Sequence, residues 1–132
     1  MRISLGFGVL FSTLLAATGR LVAQEVSNGG SATFATTCAG CHGLEGAGGE
    51  HGPTLRGEEF WSQWQGRPLR RLYSRIISTM PQDDPGSLSE QQVLGIVAYL
   101  TQLNTGSALN PPVAVAKDLN NITAPVAGAA SR

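Results

Sequence analysis

Three side chains able to bond carbon or metal fall within five residues, Cys38-Ala39-Gly40-Cys41-His42. Two thiols at this spacing can each form a thioether to one vinyl group of a single porphyrin. The imidazole that follows is then set beneath the iron as a proximal ligand. C-x-x-C-H is the pattern of covalent haem attachment. Rival chemistries fit less well. A redox C-x-x-C of thioredoxin type sits beside a βαβ pattern, and this chain has no run of alternating β-branched residues. A disulfide needs no histidine at the next position. A tetrahedral zinc site needs four ligands, and His51 is the single spare histidine.

Met80 is the second residue with metal chemistry. The other methionine is Met1, so a thioether ligand to iron, if there is one, is Met80. A gap-filling core methionine is the bland alternative. The haem motif upstream and Pro81 immediately after it favour axial ligation instead. Pro81 biases Met80 out of the helical region, which ends the preceding helix and frees the side chain to point inward. His42 and Met80 together would raise the iron's reduction potential and leave no open position for a substrate. That favours an electron carrier over an enzyme. The alternative is a haem-based enzyme or gas-binding sensor in which the distal ligand is displaceable.

Short helices must hold these groups. Ser27 or Asn28 can cap a helix running to about Cys38, with Gly30, Phe34 and Cys38 on one face. A glycine on that face permits close approach of another helix. Gly43 to Gly52 is too glycine-rich for helix or strand and reads as a loop over one haem edge. A backbone carbonyl near Pro53, at the end of this loop, is a candidate acceptor for the other ring nitrogen of His42. Such a partner would fix the ring's tautomer and orientation. His51 reads as an exposed loop residue rather than a ligand.

Glu58 to Gln65 reads as a short helix with acids in its first turn, carrying Phe60, Trp61 and Trp64. Trp64 is either core or a donor to a haem propionate. Gly66-Arg67-Pro68 opens the next helix, with Pro68 in its first turn. There Leu69, Leu72, Tyr73, Ile76 and Ile77 follow an amphipathic period with Met80 on the same face. Arg67, Arg71 and Arg75 recur opposite that stripe, with Arg70 alongside. They form either a solvated face or a docking patch for an acidic partner. Ser89 and Gln92 form a capping box, with Leu88 placed to staple onto Val93. Val93, Ile96, Val97, Leu100 and Leu103 make one stripe, and the helix stops near Asn104-Thr105-Gly106.

At 132 residues the chain allows one small domain with extensions. Residues 1–23 read as a signal peptide: Arg2 precedes an apolar run that is too short and interrupted for a confident membrane span. An uncleaved anchor is the less favoured reading. Residues 24–104 form the domain. Residues 105–132, rich in Ala, Val, Pro and Asn, read as a disordered tail; a membrane tether or docking role for them is not favoured. The formal net charge is zero, against the basic excess of a general nucleic-acid binder. Removing residues 1–23 takes Arg2 and Arg20 from the nine basic side chains and leaves seven, against nine acidic.

These residues together resemble the class I mono-haem bacterial cytochromes c. The likeness spans roughly Gly30 to Leu103. It rests on Gly30 and Phe34 before Cys38-x-x-Cys41-His42, Gly52-Pro53-x-Leu55, Trp64, Thr79-Met80-Pro81 and Ile96-Val97-Ala98-Tyr99-Leu100. The Met-Pro step, the acidic turn and Gly86-x-Leu88-Ser89 are similar to modules that accept electrons from periplasmic quinoprotein dehydrogenases. The resemblance implies an all-α fold of four short helices around one haem c. It also implies that the first and last helices cross near Gly30, Phe34, Ile96 and Tyr99. Cys38 and Cys41 would be the thioether anchors, and His42 and Met80 the axial ligands. A periplasmic location follows, with a redox-protein donor and acceptor, a quinoprotein dehydrogenase or terminal oxidase among them. The chain departs from the mitochondrial type in one respect: Lys117 is its single lysine, so a docking ring of lysines is absent.

Overall fold

The longest helix, α5 (Glu90–Thr105), forms the centre. Its capping box is complete: Gln92 N–H donates to Ser89 Oγ, and Ser89 N–H donates to the Gln92 side-chain oxygen at 2.9 Å. Gly106 ends it in the left-handed conformation at φ 74°, where glycine carries no Cβ penalty. The computed structural model describes residues 29–127. It contains α1 (29–37), α2 (Ala39–His42), α3 (Glu58–Trp61), α4 (Arg70–Thr79) and α5, with 3-10 turns at Leu44–Gly46 and Ala116–Asn120. The described residues contain no strand, only an isolated antiparallel bridge between Pro68 and Thr123. None of the described helices is long and apolar enough to cross a membrane. The expected signal peptide and the Ser27 or Asn28 cap lie outside the described residues.

Helices α1 and α5 cross through two glycines. A Cβ built on Gly30 would fall on the carbonyl of Gly95, so the two backbones touch there. The rings of Phe34 and Tyr99 close the same crossing, with centroids 5.2 Å apart. Burial on α5 is wider than the single stripe expected from its period. Every residue from Val93 to Ala98 is buried, and so are Leu100, Thr101 and Thr105. The two threonine hydroxyls each donate to the carbonyl four residues back at 2.8 Å, so neither carries an unpaired group into the core.

The segment after Gly106 adds to the core, bonding to the first turn of α5 and packing on α4. Expected as a disordered tail from residue 105, it is instead packed as far as Ala124. Leu109, Val113, Ala116, Leu119 and Ala124 are buried. Ala116 N–H donates to Glu90 Oε1 at 2.8 Å, and Gln91 Nε2 donates to the Ala114 carbonyl at 3.0 Å. The chain then crosses the approach to α4. Gly66 N–H donates to the Ala124 carbonyl, Ala124 N–H to the Arg67 carbonyl, and Leu69 N–H to the Ile122 carbonyl, at 2.8–2.9 Å. These bonds correct the expected start of α4. Pro68 lies in the bridge with Thr123, and the helix begins only at Arg70. Helix α3 is likewise one turn of helix rather than two, continuing as turns from Ser62 to Gly66.

Candidate haem site

Helix α2 is a single turn that follows α1 after a break at Cys38. It holds Cys41 and His42 one after the other. Cys41 is exposed and Cys38 half-buried, and neither is in a disulfide. Burial and, to a smaller degree, the neighbouring Cys41 push the Cys38 thiol up to about 11. The histidine ring is held from one side: His42 Nδ1 lies 2.9 Å from the Pro53 carbonyl oxygen. A carbonyl can only accept, so the bond requires a proton on Nδ1, and Nε2 is then the nitrogen free to bind a metal.

The glycine loop makes that geometry. Gly48 N–H donates to the His42 carbonyl at 2.7 Å. A Cβ on Gly52 would stand 2.9 Å from His42 Nδ1, and one on Gly49 would stand 2.6 Å from the Cys41 carbonyl. The loop is therefore folded tightly against α2, and its first residues form the Leu44–Gly46 turn where no helix was expected. His51 is exposed. Among the described residues no three His, Cys, Asp or Glu side chains come together as a metal cluster.

Met80 caps α4. Its backbone is extended (φ −125°, ψ 149°), while its N–H still donates to the Ile76 carbonyl at 2.9 Å. The side chain is half-buried and packs against the hydrophobic core. Trp64, in the turns after α3, is half-buried, and its indole Nε1 is buried without a hydrogen-bond partner. An orphaned buried donor costs on the order of 1–3 kcal/mol. It is the group to expect where an acceptor of a bound molecule belongs. Two free thiols, a histidine with Nε2 free and an unpaired indole together fit a haem.

One contributor had no signal in the sequence beyond a polar residue in the last turn of an apolar helix. Asn104, read there as part of the helix stop, uses its whole amide. Its Oδ1 accepts from Gly57 N–H at 2.9 Å, and its Nδ2 donates to the carbonyls of Leu55 at 3.0 Å and Leu100 at 2.8 Å.

A strandless set of short helices with this thiol–imidazole turn, a glycine-wrapped histidine and a methionine at a helix end defines a class I mono-haem c-type cytochrome. The chain belongs to the family described as cytochrome C oxidase, cbb3-type, subunit III, whose model matches residues 26–100. As a cytochrome c domain it transfers electrons by haem. Among solved structures it is similar to the sulfane dehydrogenase SoxCD from Paracoccus pantotrophus. That likeness has a TM-score of 0.57 at 22% identity over 94% of this chain and 69% of that one, and it speaks for the fold. No curated protein matches the chain. The packed segment from Leu109 to Ala124 lies beyond the residues that the family model covers.

Proposed function

We propose that the chain is a periplasmic one-electron carrier. Its haem c would be held by Cys38 and Cys41 and ligated by His42 on one side and Met80 on the other. When bound, such a group would supply an iron able to take up and release one electron between its ferric and ferrous states. The observation that carries this reading is the bond between His42 Nδ1 and the Pro53 carbonyl. It fixes the tautomer, leaves Nε2 as the nitrogen able to bind iron and makes it a stronger electron donor to the metal. Met80 adds a thioether at the end of α4, in an extended backbone that no longer commits its side chain to the helix surface. Trp64 supplies a donor for a propionate. The core around Phe34, Ile96 and Val97 gives the rigidity that keeps reorganisation small.

Partners follow from the relatives' chemistry. A family built around an oxidase subunit and a fold shared with a dehydrogenase support exchange with a redox-protein donor and acceptor, a dehydrogenase or terminal oxidase among them. The test is spectroscopic. Protein made with a full haem-maturation system should keep its pigment through acid–acetone extraction and show the far-red band of ferric methionine ligation. Met80→Ala should lose that band and bind carbon monoxide rapidly when ferrous. Extractable pigment, or a spectrum unaltered in Met80→Ala, would reject the reading.

A further inference from the structure

We infer that Asn104 is a positioning residue for the axial histidine, acting through the loop that carries Pro53; the inference rests on His42 being a ligand to iron. Three observations lead to it. The first is the completeness of the amide's bonding. Its oxygen accepts from Gly57 N–H, and its two N–H groups donate to the carbonyls of Leu55 and Leu100. A flipped amide would set oxygen against two carbonyls, so the side chain has one orientation. The bond to Leu100 ties it to its own helix, and the other two reach 47 and 49 residues back along the chain.

The second is what holds the loop from its opposite side. The Gly46 carbonyl accepts from Leu55 N–H at 2.8 Å and from Thr54 Oγ1 at 3.0 Å. Residues 54–57 are therefore gripped between the turn after His42 and the last turn of α5. The Pro53 carbonyl stands one residue before this grip. The third is geometric economy: the carbonyl that meets His42 Nδ1 at 2.9 Å has no helix or strand of its own to hold it. It is held on the preceding side where the Gly52 carbonyl accepts from Gly49 N–H at 3.0 Å, and on the following side by this clamp.

The consequence is a link from α5 to the iron's ligand. A firm hydrogen bond from Nδ1–H makes the imidazole a stronger donor and favours the ferric state. Loosening the Pro53 carbonyl weakens that bond and favours the ferrous state, so the potential rises. Mere opening of the fold admits water, which favours the more highly charged ferric centre and lowers the potential. The sign separates positioning from general damage.

The experiment uses the full-length holoprotein with Asn104→Ala and Asn104→Ser. Serine is neutral and can keep the bond to Leu100 within its own helix, but it is too short for Leu55 and Gly57, so it serves if the alanine variant yields no holoprotein. The expected result is a redox equilibrium shifted about threefold toward the reduced form, a rise of about 28 mV at 59 mV per tenfold. Faster exchange of the His42 ring N–H by NMR should accompany it, with the optical spectrum retained. An unchanged or lowered potential, or an unchanged exchange rate, overturns the inference. His42→Ala is measured alongside. If it abolishes the six-coordinate spectrum while the Asn104 variants behave as wild type, only the positioning role fails. If it leaves that spectrum intact, the ligand assignment fails and the role of Asn104 with it.

Discussion

Trp61 and Trp64, three residues apart, hold their indole donors in opposite circumstances. Trp61 Nε1 donates to the Pro125 carbonyl at 2.8 Å, whereas Trp64 Nε1 is buried with no partner in the protein. The pair predicts two different losses. Trp61→Phe should lower stability by about 1–3 kcal/mol by leaving the Pro125 carbonyl unpaired, and leave the reduction potential unchanged. Trp64→Phe removes a donor that a propionate would use, so negative charge near the iron is less well compensated and the potential should fall. If that bond differs by about 0.5–1.4 kcal/mol between the redox states, the fall is about 20–60 mV. Chemical denaturation and a redox titration on both variants check this. Equal potentials in Trp64→Phe and wild type would remove the indole from the site.

Cys38 gives a pH test of covalent attachment. Its thiol is held up, at about 11 against an ordinary 9.0, first by burial and then by Cys41. The native state therefore keeps a proton that the unfolded chain releases between those values. This contribution to stability is complete below pH about 9 and is lost as pH rises through about 11. The haem-free chain should lose stability across that window, and Cys38→Ala should remove this part of the loss. Holoprotein with both sulfurs in thioethers has no such proton and should lack the same component. Denaturation midpoints between pH 8 and 11 on all three samples measure it. A Cys38-dependent loss persisting in the holoprotein would show that its thiol is free.

The elements legible in the sequence are those whose signal is local. The Ser89–Gln92 box fixes the start of α5, the apolar period of Leu72, Tyr73 and Ile76 fixes the body of α4, and Pro81 fixes its end. The Gly30 contact with α5 was readable because a small residue in phase with Phe34 serves close helix approach. The bonds missed are long-range. Nothing near Pro68 in the chain announces Thr123, and nothing near Trp61 announces Pro125. The segment from Val113 to Leu119 hid its core residues at Val113, Ala116 and Leu119, a spacing of three. From Ala116 to Leu119 that is the repeat of a 3-10 turn, in which such residues eclipse on one face, while Val113 lies in the irregular chain before it. Asn104 was illegible for the same reason, since its value lies in Leu55 and Gly57.

That closing segment makes a stability prediction of its own. Leu119 is fully buried, in a stretch with only two charged neighbours, Lys117 and Asp118. Leu119→Ala should cost about 3 kcal/mol, within the range for buried leucine. Gly30→Ala, which drives a methyl into the Gly95 carbonyl, should cost about 2 kcal/mol or more. Leu119 lies in the 3-10 turn that packs on α4, whereas Gly30 meets α5 at Gly95, so the two costs should add. Urea denaturation of the single and double variants tests this. A neutral Leu119→Ala would mean that residues 107–127 are detached in solution.

The last prediction concerns the arginines of α4 together with Arg67, which lies just before it. Arg70 is half-buried, its guanidinium 4.9 Å over the Tyr73 ring, and so is committed to the fold. Arg67, Arg71 and Arg75 are exposed. Among the described residues the one ion pair within 4.0 Å is Arg56 with Glu45, leaving these three without a carboxylate. Arg75 precedes Met80 by five residues, about 7.5 Å along a helix axis, so a partner drawn to this face arrives near Met80, the ligand we propose. An acidic redox partner should then reduce the protein more slowly as salt rises, by about tenfold between low ionic strength and 0.2 M. Arg71→Glu with Arg75→Glu should slow encounter at low salt, converge with wild type at high salt and leave the optical spectrum unaltered. Stopped-flow reduction over a salt series reads all three. A flat response would assign these side chains to solvation alone.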